Sequence, residues 1–176
     1  MKKEVSPMAY LKETVQMFNY CGLLLVSGRT EKANVMTIGW GLPGRLWQKP
    51  FFMVALRPSR HTYKFIEKTG DFTVNVPSKD MKDTVTYCGT VSGRDYDKFK
   101  ERGLTLTPSS HVSSPIISEC VVHYECKIAY KTEVISSNLP RDIILTNYPH
   151  GNYHTLYFGE IMATYADEDA KEKLTL

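Results

Sequence analysis

Short apolar, β-branched runs, each closed off by turn residues, recur along most of this chain and leave few folds open to it. Leu23 to Ser27 and Ala33 to Trp40 flank Gly28-Arg29-Thr30-Glu31-Lys32, the pattern of a hairpin. Phe51 to Arg57 is almost continuously apolar, as in a strand covered on both sides. Asp71 to Val76 sets Phe72, Val74 and Val76 against Thr73 and Asn75, which predicts a half-buried strand ended by Pro77. Glu119 to Val134, Asp142 to Thr146 and Thr155 to Thr164 complete the predicted strands. Helices are fewer: about Ala9 to Met17, Ser59 to Thr69 with Ser59 as N-cap and Gly70 as stop, Met81 to Cys88, and Asp95 to Arg102. Because β and α do not alternate regularly, a doubly wound parallel sheet is disfavoured. A closed or half-closed antiparallel β-barrel with a few inserted short helices is expected.

The 176 residues fit one domain. We expect an N-terminal arm over 1–20, a body over 21–166 and a charged tail over 167–176 that forms a loose helix. Twenty-two basic against nineteen acidic side chains leave a formal charge of +3, which gives no reason to expect a nucleic-acid or membrane partner. No stretch of about 18 uninterrupted apolar residues occurs, so no transmembrane helix is expected. The opening lysines are not followed by the apolar stretch of a secretory signal, because Glu4, Lys12 and Glu13 interrupt it; a cytoplasmic location is expected. Cys21, Cys88, Cys120 and Cys126 form no CxxC pair and have no histidine at zinc-finger spacing, so they read as buried thiols. Cys120 and Cys126, six apart on one expected strand, would share a face. His150 and His154 are separated by a Gly151-Asn152 turn, and no metal site is expected.

The chain lacks Walker, GxGxxG, HExxH and GxSxG signatures. Two segments are more informative. In Ala55 to Tyr63 a strand ends at Arg57, Pro58 turns the chain, and Ser59-Arg60-His61-Thr62 open a helix. Free N–H groups, two hydroxyls and an arginine within one turn are the parts of a phosphate site; a capped helix with solvated arginines fits the same residues equally well. Tyr87 to Phe99 is a glycine-punctuated loop running into a helix capped by Asp95, with Arg94 and Lys98 beside it. It could approach a ligand closely or be only a tight connection. The strand Asn34 to Trp40 is, by itself, unremarkable.

Taken together, N-x-M-T-x-G-W, R-P-S-R-x-T-Y, F-T-V-N-V-P-S, Y-C-G-T-x-S-G-R-D-x-D-K-F, P-I-I-x-E-C and H-T-x-x-x-G-E-I occur in this order from about Cys21 to Thr164. This series resembles the flavin reductase-like FMN-binding family, flavoredoxins above all. The resemblance implies a split β-barrel of Greek-key type, a homodimer, and FMN held near the subunit interface. It implies that Ser59, Arg60 and Thr62 cradle the phosphate and ribityl chain, and that Asn34, Met36 and Thr37 edge the isoalloxazine. Trp40 would lie near the ring, with Asn75, Ser92 and Lys98 as further binding positions, Lys98 as a point charge. His154 matches a motif histidine near the reactive ring, preceded here by Asn152-Tyr153, and is the implied catalytic residue through a proton that titrates near neutrality. The implied activity is that of an FMN-dependent oxidoreductase. It would take electrons from NADH, NADPH or a redox partner and pass them to flavin, ferric chelate or protein. A module that stores or senses FMN without turnover is the alternative. For Cys88 a packing role is favoured over a redox one.

Overall fold

The computed structural model describes residues 2–176. In chain order the elements are β1 (Lys2–Glu4), α1 (Leu11–Tyr20), β2 (Leu23–Arg29), β3 (Lys32–Ile38), β4 (Gly41–Leu46), β5 (Lys49–Leu56), α2 (Tyr63–Thr69) and β6 (Asp71–Val76). They continue with α3 (Lys82–Thr90), α4 (Lys98–Glu101), β7 (Leu106–Thr107), β8 (Ile116–Ile117), β9 (Val122–Glu133), α5 (Arg141–Asn147), β10 (Thr155–Asp167) and α6 (Ala170–Leu174).

One antiparallel sheet runs β3-β2-β6-β9-β10-β5-β4, with β1 added on β10. Six inter-strand steps from β3 to β4 would place these edges about 29 Å apart in a flat sheet. Yet Ile38 ends β3 and Gly41 begins β4, a separation that the chain can span only up to about 11 Å. The sheet therefore rolls round until its two edges meet at Gly39-Trp40. Ile38 still pairs with Leu23 of β2, whereas Gly41 already pairs with Val54 of β5, so the chain changes neighbours within three residues. Past that crossing β3 and β5 diverge, and the roll stays open along β3.

The continuous apolar run in β2 follows from this arrangement. Leu23 and Leu25 point into the roll with Phe52, Phe72, Tyr124 and Tyr157, while Leu24 and Val26 pack outward with Val85 and Cys88 of α3. Burying both faces of β2 fixes α3 against the sheet, and with it the loop that follows α3.

Several expectations are corrected. Asp71–Val76 is buried on both faces, not half-buried. The run Asp142 to Thr146 belongs to the helix α5, started by Pro140, and no residue of it is buried. The helix expected from Ser59 begins only at Tyr63, and that expected from Asp95 begins at Lys98 with Asp97 as its cap. The arm and tail are not appendages: β1 pairs with β10, and Ala170 and Leu174 of α6 lie in the core. Cys120 precedes β9 and packs in the outer cluster while Cys126 lies in the inner one, so they share no face; all four cysteines are free. No helix of the described residues is long and apolar enough to cross a membrane.

Candidate functional site

A groove of about 410 Å³ lies along the open side of β3. Its floor is Asn34, Met36 and Thr37; one wall is the turn from Arg57 to Thr62, and the other is the end of α3 with the loop from Cys88 to Arg94. A smaller lobe of about 210 Å³ continues toward Trp40, Ala55 and His154, where β3 and β5 part.

The cationic half is built chiefly from side chains on and around the turn that precedes α2. The Arg60 and Tyr63 N–H groups are used within the turn, on the carbonyls of Arg57 and Arg60. What remains is a set of donors. Asn34 Nδ2 donates to Thr62 Oγ1 at 2.7 Å, and Asn152 Nδ2 donates to Ser59 Oγ at 2.8 Å. Each hydroxyl thus accepts from an amide and keeps its own proton for an acceptor in the groove. Arg94 is laid against the same turn through a 3.2 Å bond to the Ser59 carbonyl. Arg57 donates to the Asn147 carbonyl at 2.8 Å and lies 5.2 Å over the Tyr148 ring. Ser92 lines the loop wall, and its Oγ accepts from the Arg94 N–H.

Lys98 is buried. Its Nζ donates to the Val35 carbonyl at 2.9 Å and to the Cys88 carbonyl at 2.7 Å, fastening β3 to α3 behind the groove. Burial lowers its pKa, with Cys88 opposing this and Arg60 adding to it. It therefore holds the wall and keeps one N–H for a ligand, unlike the free point charge expected. Thr37 Oγ1 donates to the Val85 carbonyl and so can only accept from a ligand. Two glycines allow the loop to come this close. A Cβ on Gly89 would sit 3.1 Å from Thr37 Cβ, and one on Gly93 only 1.8 Å from Asn34 Oδ1.

The other end is flat and aromatic. The Trp40 and His154 rings lie 4.6 Å apart, Tyr148 stands edge-on to both, and Tyr148 Oη is 2.8 Å from His154 Nδ1. Burial, reinforced by Arg57 and Arg60, pushes the His154 pKa down to about 4. The imidazole is neutral at pH 7, which corrects the expectation of a group titrating near neutrality.

Of the expected site residues, Asn34, Met36, Thr37, Ser59, Arg60, Thr62, Ser92 and Lys98 line the groove, and Trp40 and His154 line its lobe. Asn75 does not belong with them. It is fully buried between β2 and β9, donating to the Leu24 carbonyl and Thr73 and accepting from the Ile117 N–H and His123. Its polar atoms are spent within the fold. Arg57, Tyr148 and Asn152 were not singled out as binding residues. Arg57 adjoins the R-P-S-R segment and could have been included. Nothing local to Tyr148 or Asn152 shows that the excursion after β9 folds back to this wall. Among the described residues, no cluster of metal-ligating side chains occurs.

Residues 19–176 match the family model for the flavin reductase like domain. An uncharacterised protein of Pyrococcus abyssi is 36% identical over 147 residues, covering 82% of this chain and 73% of that protein. The flavoredoxin of Desulfovibrio vulgaris (Miyazaki F) superposes with a TM-score of 0.68 at 27% identity, over 85% of this chain and 71% of that one. The flavoredoxin of Methanosarcina acetivorans gives 0.66 at 27% identity, over 84% and 68%. A split-barrel-domain protein of Shewanella frigidimarina gives 0.67 at 19% identity, over 85% and 68%, and shares the fold. The rolled sheet, open along β3, is a split barrel.

Proposed function

The chain belongs to the flavin reductase-like domain family, and on that premise we propose that the groove along β3 holds FMN in an oxidoreductase. Electrons enter from NADH, NADPH or a redox partner and leave to a flavin, ferric-chelate or protein acceptor. One observation carries this reading. Arg57, Arg60, Arg94 and Lys98 converge on a groove whose lining contains no carboxylate, and none of the four is in an ion pair among the described residues. Four unneutralised cations with two hydroxyls free to donate suit a small phosphate, whose oxygens only accept.

The residues present fit FMN. Arg60 and Arg94 bind the phosphate, with Ser59 and Thr62 donating to it, and Lys98 secures the wall and contributes its remaining N–H. Met36 and Thr37 edge the planar ring, and Trp40 with His154 supplies a flat wall at its far end. When bound, the flavin supplies the redox chemistry, and the protein supplies position and electrostatics. His154, neutral and hydrogen-bonded to Tyr148, orients a partner at the ring and does not act as a reservoir of protons at pH 7. A homodimer is part of this proposal. Trp40 is 44% and Leu42 67% exposed, an apolar rim beside the open lobe that a second copy would cover.

An absorbance spectrum of the purified protein, taken before and after anaerobic addition of NADH and then NADPH, tests ligand and donor together. Bands of bound flavin that bleach with one donor are the expected result. Protein that stays colourless and takes up no added FMN refutes the proposal, and flavin that no donor reduces favours storage or sensing. Gel filtration is expected to give the mass of two chains.

A further inference from the structure

The stretch that returns to the groove after α5 is shaped by its backbone. The Tyr148 carbonyl accepts from the Gly151 N–H at 3.1 Å, and Gly151 and Asn152 take left-handed φ angles of 71° and 57°. This turn doubles the chain back, so that Tyr148 and His154 meet although six residues apart. Neither side chain can drift. The His154 carbonyl accepts from the Val134 N–H at 2.9 Å, which ties its backbone to the end of β9 just before β10 begins. The Tyr148 ring is buried, with Arg57 over it, Tyr153 at 4.7 Å and Trp40 edge-on at 6.2 Å.

Tyr148 Oη has one hydrogen-bond partner among the described residues, His154 Nδ1 at 2.8 Å. A phenol carries a single proton, and a buried one left without an acceptor is costly. Were the imidazole proton on Nδ1, the Tyr148 O–H would point at nothing. Both groups are satisfied when Tyr148 donates and Nδ1 accepts, which puts the proton of the neutral ring on Nε2. Nε2 of His154 is not sealed in, unlike Nε2 of His123, and the residue lines the lobe of about 210 Å³. A single uncharged N–H donor therefore stands in the aromatic part of that wall. Arg57 and Arg60 at the edge of the lobe suit anions, whereas a neutral donor beside a flat surface suits a carbonyl oxygen. The lobe is smaller than the roughly 300 Å³ at which pockets for drug-sized ligands begin, so it takes a single ring.

We infer that Tyr148 is a positioning residue for His154. It fixes Nδ1 as the acceptor and directs Nε2–H to the lobe, where this N–H binds a carbonyl oxygen on the planar molecule that exchanges electrons with the flavin. No proton is transferred in this role; the hydrogen bond aligns the incoming ring. The ligand rests on the flavin reading of the groove, whereas the pairing of Tyr148 with His154 stands without it.

Two measurements test the two parts. Long-range ¹H–¹⁵N spectra of the flavin-free full chain, with His154→Gln to assign the signals, read the ring nitrogens directly. The natural protein is expected to show His154 with Nε2 protonated and Nδ1 shifted by an accepted hydrogen bond. In Tyr148→Phe the Nδ1 signal is expected to move to its unbonded position. A proton on Nδ1 in the natural protein, or His154 signals that Tyr148→Phe leaves unmoved, overturns the inference. The FMN-loaded chain is then titrated with benzamide and with toluene, followed by the flavin spectrum. Tyr148→Phe is expected to weaken benzamide about three- to tenfold, the loss of one hydrogen bond, and toluene by less than twofold. A loss shared equally by both probes makes Tyr148 a packing residue and overturns the inference, with the flavin reading intact. Protein that takes up no FMN overturns the flavin reading and the proposed ligand together, and the ring-nitrogen signals still decide the pairing.

Discussion

Gly93→Ala should damage the groove out of proportion to its size. A methyl group at residue 93 would lie 1.8 Å from Asn34 Oδ1 and 2.8 Å from its Cγ, where ordinary contact begins near 3.4 Å. Asn34 cannot yield freely, being buried and held through Nδ2 by Thr62 Oγ1 at 2.7 Å. If its amide swings aside, a buried hydroxyl and amide lose their partners, at a cost of about 1–3 kcal/mol. If the loop moves instead, it carries Ser92 and Arg94 away from the turn at Ser59. In a chain of this length the loss corresponds to a fall in Tm of about 2–12 °C. Either movement is expected to weaken FMN binding at least tenfold, because about 1.4 kcal/mol lost at the phosphate is already a factor of ten. Urea unfolding and flavin titration on the same sample read both effects. Gly44→Ala is the control: a Cβ there meets nothing within 4 Å, so stability should move by no more than about 0.5 kcal/mol. A Gly93→Ala protein with unaltered stability and unaltered flavin affinity would falsify the packing of this wall.

Three further expectations can be checked with simple assays. Arg60→Ala should raise the FMN dissociation constant by about 10- to 100-fold, the loss of one charge-assisted contact, and the salt dependence of binding should flatten; an unchanged constant would separate Arg60 from the phosphate. Burial holds His154 at a pKa of about 4 and His123 at about 3, against 6.5 when unfolded. Between these limits the unfolded chain binds more protons, so these groups make stability highest above pH 6.5 and erode it as pH falls toward 3. Urea midpoints that stay flat from pH 7 to 4.5 would contradict that assignment. Burial raises the pKa of all four thiols, and only Cys21 is not fully buried, so at most one should react quickly with a thiol reagent before unfolding. Rapid reaction of two or more would reopen a redox role for Cys88.

How much of this was legible in the sequence depended on whether the signal was local. The hairpin of β2 and β3 and the strand β6 could be read because their runs are bounded by turn residues on the spot. β4 could not: Gly41-Leu42-Pro43-Gly44 denies a strand on composition, and it forms only because Pro43 lies on a sheet edge that needs no donor from it. The apolar run in α5 looked like a strand because four or five residues cannot separate period 2 from period 3.6. No neighbouring strand is there to pair with it. For the site, the R-P-S-R segment carried its chemistry on its face. Asn75 shows the opposite limit, since a polar residue within a recognised motif turned out to serve the interior of the sheet. The contributions of Tyr148 and Asn152 depend on where a distant excursion returns, which no short window contains.

The place of β10 in the sheet has a consequence for how this molecule is made. β10 lies between β9 and β5 in the sheet, yet it follows both in the sequence. Until residues 155–167 emerge, the part bearing β2, β3 and β6 and the part bearing β4 and β5 are joined by the short crossing at Gly39-Trp40 and by the α2 segment between β5 and β6, with no strand between β5 and β9 to set their register. β5 and β9 would then lie unregistered with respect to each other. Such non-local closure is slow, so a nascent or C-terminally shortened chain exposes the edges of β5 and β9 together. Ribosome-bound intermediates of this protein should therefore depend on chaperones until residues 155–167 have been made.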